Sequence, residues 1–358
     1  MRIDQVMPSM VAGDAISAHA VQIQRLLADA GRAGTIYVAQ PGAELPAGAE
    51  VTAAEELGIR PAADATLYHL SVGSDLSDRF AGLGGRKAVV YHNVTPPRFF
   101  EGWDPPMADV MRAGRKDLRH LAPVCVLGIG DSEFNRLELQ RAGFERTGVL
   151  PILIDQAALQ IDGDRRLGDE LAQRRSRGRI WLFVGRFAPN KCQHEIVEAF
   201  AAYRRHADPH STLVLIGTAF TGSYRAAVLA LAERLGVADG VVARGPVTQP
   251  ELVACYRAAD VLVCLSEHEG FCVPVVEAMS LGVPVVAYSA TAVPETAGEG
   301  ALLLDDKDPV FVGAVVAELL DDEATRADLI ERGHHRAESL SAHSARATLE
   351  GLIGELVG

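Results

Sequence analysis

Lysine is nearly missing from this chain. Of 34 basic residues only Lys87, Lys116, Lys191 and Lys307 are lysines, so each merits attention. No cluster of Lys and Arg makes a basic stripe, the formal net charge is −13, and the pI lies near 5.3. That balance argues against a nucleic-acid partner and against docking on an anionic membrane. No C-x-x-C pair occurs among Cys125, Cys192, Cys255, Cys264 and Cys272. Most lie in apolar runs, so they read as reduced core thiols with neither a disulfide frame nor a zinc site. The start, Met1-Arg2-Ile3-Asp4, lacks the apolar stretch of a signal peptide. No apolar run approaches the ~18–20 residues of a spanning helix. A cytoplasmic protein is the expectation.

What is present suits a globular fold: 48% hydrophobic and 23% charged residues over 358 positions. That length accommodates two domains of about 150–200 residues. Short apolar runs predict strands over Thr35–Ala39, Ala65–Leu70, Arg86–His92, Val124–Ile129 and Thr147–Leu150. Between them Val21, Leu26, Leu27 and Ala30 line one helix, and Leu137 and Leu139 another that Ser132 caps. A second series restarts at Ile180–Val184, continuing through strands at Leu213–Ile216, Val241–Ala243, Val261–Leu265, Val283–Ala287 and Ala301–Leu304. Helices alternate with these strands, and unbroken apolar strands are what a doubly covered parallel sheet requires. The expected organisation is an α/β fold with an N-terminal Rossmann-like domain (1–152), a charged linker (153–178), a C-terminal Rossmann-like domain (179–338) and a closing helix (339–358) packing back on the first domain. Ligands of such sheets bind beyond the carboxyl ends of the strands.

Two constellations follow strand ends. In Phe183-Val-Gly-Arg-Phe-Ala-Pro-Asn-Lys191, Gly185 and Arg186 leave a strand, and Lys191 falls at or near the next helix start. A cation there opposes the helix dipole by roughly 0.3–1 kcal/mol, which makes sense beside a bound diphosphate. In Ser266-Glu-His-Glu269-Gly-Phe-Cys-Val-Pro-Val-Val-Glu277, two carboxylates flank a glycine turn. Gly270 allows close backbone approach, Pro274 suits a first helical turn, and Glu277 in the opening turn can accept two ribose hydroxyls. The bland alternatives are solvated charges and a capped helix.

These motifs, about 80 residues apart and continued by Ala278-Met-Ser-Leu-Gly-Val-Pro-Val-Val-Ala287, resemble the donor site of retaining GT-B glycosyltransferases of family 4, with two facing Rossmann-like domains. In the first half, Gly13-Asp14-Ala-Ile-Ser-Ala-His19 resembles the glycine loop that approaches the donor phosphates. Tyr91-His92-Asn93-Val-Thr-Pro-Pro-Arg-Phe-Phe resembles a loop of bacterial hexosyl- and mannosyl-transferring members, and Asp131-Ser132-Glu-Phe-Asn135 resembles another acceptor-side loop. The resemblance implies that Arg186 and Lys191 neutralise the diphosphate and Glu277 binds ribose. It implies that Glu269, with Gly270, Phe271, Cys272 and Val273, holds the sugar. Gly13 and Gly185 would approach the phosphates, Arg244, Gly245 and Val247 would face the base, and His92 would contact the donor sugar or shape the reacting face. Asp14, His19, Asn93, Thr95, Ser132 and Asn135 would lie on the acceptor side. The family usually has two adjacent glycines where this chain has Gly13-Asp14.

The implied activity is metal-independent hexosyl transfer, with retention, from a UDP- or GDP-sugar to a small-molecule or glycan acceptor. The nucleotide sugar is a co-substrate, and no cofactor is expected. The alternatives are a GT-B phosphorylase or epimerase, and a non-catalytic nucleotide-binding partner subunit. Among weaker signals, Asp162-Gly-Asp164 fits an acid-x-acid metal pattern but reads better as a solvated turn. Gly128-Ile-Gly130 reads as a turn before the Ser132 helix, His69 as structural and His268 as exposed. Asp75, Asp78 and Asp104 read as solvated acids or as attraction for an amine-bearing acceptor.

Overall fold

The computed structural model describes residues 1–59, 62–220 and 222–358, the side chains of 342 and 343 excepted. Two compact units emerge, Met1–Asp155 with Leu340–Gly358, and Gln156–Ser339.

In the first unit the elements run β1 (Ile3–Met10), α1 (Ala15–Asp29), β2 (Ala33–Pro41), β3 (Val51–Ala53), β4 (Ala65–Leu70), α2 (Leu76–Ala81), β5 (Arg86–Tyr91), α3 (Pro105–Leu121), β6 (Leu127–Gly130), α4 (Glu133–Ala142) and β7 (Thr147–Val149). Among the described residues they form a seven-stranded sheet of order β3-β2-β1-β4-β5-β6-β7, paired in parallel. The chain reverses its march between β1 and β4, the topological switch point where such sheets hold ligands.

Two elements escape the sequence reading. Strand β1 carries Asp4, Gln5 and Pro8 in an otherwise apolar run. Its polar groups are paired inside: Asp4 Oδ1 accepts from the Thr35 amide at 2.9 Å. Helix α3 opens on Pro105-Pro106 and is diluted by charge, though Ala108, Met111, Gly114, Leu118 and Leu121 bury one face. Ala30, expected on the inner face of α1, is its exposed C-cap, while Val21 and Leu27 are buried. Ser132 does cap α4, accepting from the Asn135 amide at 3.2 Å. Gly128 and Gly130 lie within β6 rather than in a turn; α4 packs so tightly that a Cβ at 130 would stand 2.6 Å from the Arg136 nitrogen.

The second unit runs α5 (Gln156–Leu159), α6 (Arg165–Arg175), β8 (Ile180–Val184), α7 (Gln193–His206), β9 (Thr212–Ile216), α8 (Gly222–Arg234), β10 (Val241–Arg244), α9 (Gln249–Ala258), β11 (Val261–Cys264), α10 (Val273–Ser280), β12 (Val285–Tyr288), α11 (Val293–Ala297), β13 (Leu302–Leu304), α12 (Pro309–Asp321) and α13 (Glu323–Ser339). Its parallel sheet has the order β10-β9-β8-β11-β12-β13, with the switch point between β8 and β11. The charged stretch expected as a linker contains α6, which buries Leu167 and Leu171 and packs against α9. Asp164 is its N-cap, accepting from the Leu167 amide at 2.7 Å, which accounts for the acid-x-acid pattern. Trp181, Phe183, Phe200, Leu215 and Val263 anchor the core of this unit.

The last helix, α14 (Ala342–Val357), belongs to the first unit. It buries Leu349, Leu352, Ile353 and Leu356 in one core cluster with Ile3, Leu67 and Val90. Each such side chain contributes roughly 1.5–3 kcal/mol of burial. No described helix is long and apolar enough to cross a membrane.

Candidate active site

In the second unit the loops after β8 and β11 meet at the switch point. Leaving β8, Gly185 adopts φ +152° and Gly217, after β9, φ +147°. A Cβ at 217 would strike the Gly185 backbone, so the two strand ends approach as only glycines allow. Arg186 is exposed on this turn, its guanidinium 5.6 Å from the Phe220 ring centroid, and Gln193 Nε2 holds its carbonyl at 2.8 Å. A single 3-10 turn, Pro189–Lys191, then precedes α7.

Lys191 therefore stands before the helix. Its Nζ reaches across to Glu269 Oε2 at 2.5 Å, so the cation has a carboxylate partner. Burial works against the Lys191 ammonium, but Glu269 and the neighbouring Cys272 and Cys264 hold its pKa above the ordinary lysine value. The loops are stitched further by Asn190: its Nδ2 donates to the His268 carbonyl at 3.0 Å, and its own carbonyl accepts from the Glu267 amide at 2.9 Å. His268, expected at the surface, is buried by this packing. Thr291 Oγ1 accepts from the Glu269 amide at 2.9 Å.

Gly270, Phe271 and Cys272 turn into α10, which begins at Val273; Cys272 is held at φ +81°. Glu277 lies on the second turn of α10, past the opening turn the spacing suggested. Its carboxylate accepts from Tyr256 Oη at 2.7 Å. Burial pushes the Glu277 carboxyl above the ordinary range, with the tyrosine hydrogen bond opposing. Arg244 ends β10 and pairs with Glu170 at 2.7 Å. Gly245 and Val247 follow in the loop to α9, whose start is fixed by the Thr248–Glu251 capping box. Arg186, Lys191, Glu269 and Glu277 are thus gathered around β8 and β11, while Arg244, Gly245 and Val247 lie at the sheet's β10 edge.

The candidates of the first unit also follow strand ends, but most of their polar atoms are engaged internally. Gly13 has φ +76° and open space where a Cβ would point. Asp14 caps α1, accepting from the Ser17 amide at 3.0 Å and its hydroxyl at 2.8 Å. His19 Nδ1 accepts from the Leu153 amide at 2.9 Å. Asn93 Nδ2 donates to Asn135 Oδ1 at 2.8 Å, Asn135 Nδ2 donates to the Tyr91 carbonyl at 3.1 Å, and Thr95 is half-buried.

The His92 and Asp131 side chains are 0% and 1% exposed. His92 Nδ1 stands 2.9 Å from Asp131 Oδ2, and its Nε2 2.8 Å from His69 Nδ1. His69 Nε2 stands 2.8 Å from Gln5 Oε1. The Gln5 amide nitrogen donates to the Ala20 carbonyl and to Gln24 Oε1, which fixes its oxygen as an acceptor. Hydrogens can then be assigned along the chain. His69 donates from Nε2; with its ring neutral, Nδ1 accepts from His92 Nε2. The His92–Asp131 contact consequently needs one further proton, carried by one of the two partners. Burial lowers the His19 and His69 pKa values, with repulsion from His92 adding. Burial raises that of Asp131 against the attraction of His92. Both His19 Nε2 and Asp131 Oδ1 are buried and have no hydrogen-bond partner among the described residues.

The weaker acidic signals resolve locally. Asp104 caps α3, accepting from the Met107 amide at 3.1 Å, and Asp78 meets His120 at 3.2 Å. Four residues beside the candidates of their own unit were given no role: Gln5 in the first, and Tyr256, Thr291 and Lys307 in the second. Lys307 holds Glu195 at 2.6 Å and Glu267 at 2.8 Å; the scarcity of lysine was its one signal. Thr291 sits at φ +51°, and no sequence pattern marks it.

Residues 170–336 match the family model described as glycosyl transferases group 1. The D-inositol 3-phosphate glycosyltransferase of Salinispora tropica is 32% identical over 237 residues, 63% of this chain and 48% of that protein. Its namesake in Thermomonospora curvata is 32% identical over 66% of this chain and 58% of its own length. The O-antigen chain mannosyltransferase B of Escherichia coli is 31% identical over 45% of this chain and 42% of its own. The chain spans about half the length of the curated relatives it matches. Among solved structures, Anabaena HepE in complex with UDP-glucose superposes with a TM-score of 0.77 at 19% identity, covering 99% of both chains. WaaG, a glycosyltransferase involved in lipopolysaccharide biosynthesis, gives 0.74 at 15% identity, covering 98% of this chain and 100% of its own. These identities speak to fold alone. In sequence, residues 170–336 match the group 1 glycosyl transferases; in fold, the chain is an α/β protein of the GT-B type, with two parallel-sheet Rossmann-like units.

Proposed function

We propose that this chain transfers a hexosyl group from a nucleotide-diphosphate sugar to an acceptor hydroxyl, with retention and without a metal. The observation that carries the reading is the Lys191–Glu269 pair beside Arg186, at the switch point between β8 and β11. Departure of the nucleotide develops negative charge on its phosphates. Arg186 and Lys191, fixed before that charge appears, stabilise it without reorganising. Glu269 and the amides of the 270–273 turn take the sugar hydroxyls, and Glu277, with one oxygen held by Tyr256, offers the other to ribose. The departing phosphate takes the acceptor proton as the acceptor attacks from the same face, so no protein carboxylate acts as nucleophile, unlike retaining glycosidases.

A UDP- or GDP-sugar is the donor class. The UDP-glucose complex of HepE and the names of the inositol-phosphate and mannosyl relatives support it. A thermal-shift screen against UDP-, GDP-, ADP- and dTDP-sugars tests the reading, since a ligand that prefers the native state raises the melting temperature. A shift with none of the four, under conditions where the chain is folded, removes it. Retention is checked by the anomeric configuration of the product. Metal independence is checked by turnover in excess chelator.

A further inference from the structure

Beside Glu269 lie two thiols that the donor chemistry does not use. Cys264 ends β11 and Cys272 immediately precedes α10, and their Sγ atoms are 3.7 Å apart. One ligand atom from each of Cys264, Cys272 and Glu269 lies within 4.8 Å of the others, and all three residues are buried. Cys272 is in the left-handed region at φ +81°, which glycine adopts freely and a cysteine adopts at a cost. The chain thus carries a thiol where its backbone favours no side chain at all.

We propose that Cys264, Cys272 and Glu269 form a site for a single thiophilic divalent cation, Zn2+ in the first instance. Tetrahedral zinc with Zn–S bonds of ~2.3 Å sets its sulfurs about 3.8 Å apart, close to the spacing present before any ion arrives. The two sulfurs select soft cations over Mg2+ and Ca2+. On binding, two S–H bonds break, two Zn–S bonds form, and two protons pass to the buffer, with no change of oxidation state. Glu269 supplies the third ligand; Lys191 holds that carboxylate through Oε2, and solvent completes the fourth position. A second cluster, Cys192 with Glu195 and Glu267, makes the contrast clear. There Lys307 bonds both acids and lies 3.8 Å from the sulfur, so all three ligand groups are engaged and no ion is assigned to it. In the first cluster Lys191 bonds Glu269 through Oε2 alone, and the two thiols face each other. Because Glu269 is also read as a ligand of the donor sugar, the ion and the donor exclude one another. This last step rests on the proposed function; the cation site itself does not.

The test uses the full chain, reduced and stripped with chelator. Zn2+ alone is titrated by calorimetry in two buffers of different protonation enthalpy, and Co2+ is added separately to look for a thiolate-to-metal absorption band. One ion per chain, proton release and a thiolate band are expected. Cys272→Gly suits the backbone at 272, so it should fold with an unchanged or higher melting temperature. It should lose more affinity than the ~10–100-fold typical of losing an outer partner of a metal ligand; Cys264→Ser should behave alike. Unchanged Zn2+ affinity in Cys272→Gly, or a Co2+ complex without the thiolate band, overturns the site. Binding of UDP-sugar is then measured with and without saturating Zn2+. Loss of donor binding in zinc supports the exclusion, and simultaneous binding overturns it. Absence of any donor binding in either condition counts against the proposed function and leaves the metal titration to judge the site.

Discussion

At the carboxyl ends of β8 and β11 the polar side chains stand in loops. Arg186 is exposed and Lys191 half-buried, joined to a carboxylate across the switch point. At the carboxyl ends of β4, β5 and β6 the polar side chains turn inward, and Gln5, His69, His92 and Asp131 form one buried chain. Both units are parallel sheets whose order reverses once, so topology does not make the difference. The second unit places charge at its switch point, where we propose that the donor binds. The first unit joins polar groups to one another, where low polarity makes every unpaired group costly. A polar residue near a strand end is therefore a site residue only after its internal partners have been counted.

The largest effect that separates the two regions is on turnover. Arg186→Ala and Lys191→Ala should each lower kcat by about 10²–10³, as removal of one fixed donor to a developing charge typically does. Their melting temperatures should change little for Arg186 and somewhat more for Lys191, whose loss leaves Glu269 unpaired. Near-normal kcat in both variants at saturating donor would break the comparison at its stronger end.

The buried chain should answer in stability instead. Asp131→Ala strands the ring Nδ1 of His92 in the interior, at about 1–3 kcal/mol. Asp131→Asn restores a donor to that nitrogen without an extra proton and should cost clearly less in denaturant unfolding. If the two substitutions cost the same, the hydrogen assignment along Gln5, His69 and His92 is wrong.

The two units should also respond to acid with opposite sign. His19 and His69 have folded pKa values below the ordinary 6.5. Unfolding therefore takes up protons in the window from 6.5 downward, and stability falls as pH falls. Each imidazole contributes up to about 1.4 kcal/mol per pH unit inside its window. Asp131 and Asp117, both raised by burial, act with the opposite sign as pH falls through their folded values, so the histidine sign is expected in the upper part of the window, just below 6.5. In the second unit Glu277 is raised by burial, so its contribution grows as pH falls through the folded value. Amide exchange at pH 7 and pH 5.5 should show protection falling in the first unit relative to the second. Equal loss in both, or a gain in the first, overturns the sign.

Legibility followed the same division. Apolar strands such as Ile180–Val184 and Ala65–Leu70 announce themselves because both faces are buried. The Arg186–Lys191 and Glu269–Glu277 segments were readable because their spacing resembles a donor site, and both lie at the β8–β11 switch point. Strand β1 was hidden because Asp4 and Gln5 look like loop residues until their partners at Thr35 and His69 are known. Those partners lie 31 and 64 positions away, and no local pattern encodes them. Lys191 was placed near its helix but without its carboxylate partner, which is 78 residues distant. Ser132 was legible as the cap of α4, whereas Asp14 caps α1 without having been marked as a cap, because a helix cap and a ligand contact draw on the same short polar side chains.

Asp164 gives the smallest effect and the cleanest reading of that ambiguity. Its carboxylate caps α6 through the Leu167 amide, and replacing such a cap with alanine costs about 0.5–2 kcal/mol. Asp164→Ala should therefore lower the unfolding free energy by roughly 1 kcal/mol while kcat and KM stay at their starting values. Asp164→Asn keeps a capping oxygen and should recover most of the stability. A metal ligand would behave otherwise, with both substitutions lowering turnover, added divalent cation restoring it, and stability following the ion rather than the helix. The outcome decides whether an acid-x-acid pattern in a charged stretch means chemistry or only the first turn of a helix.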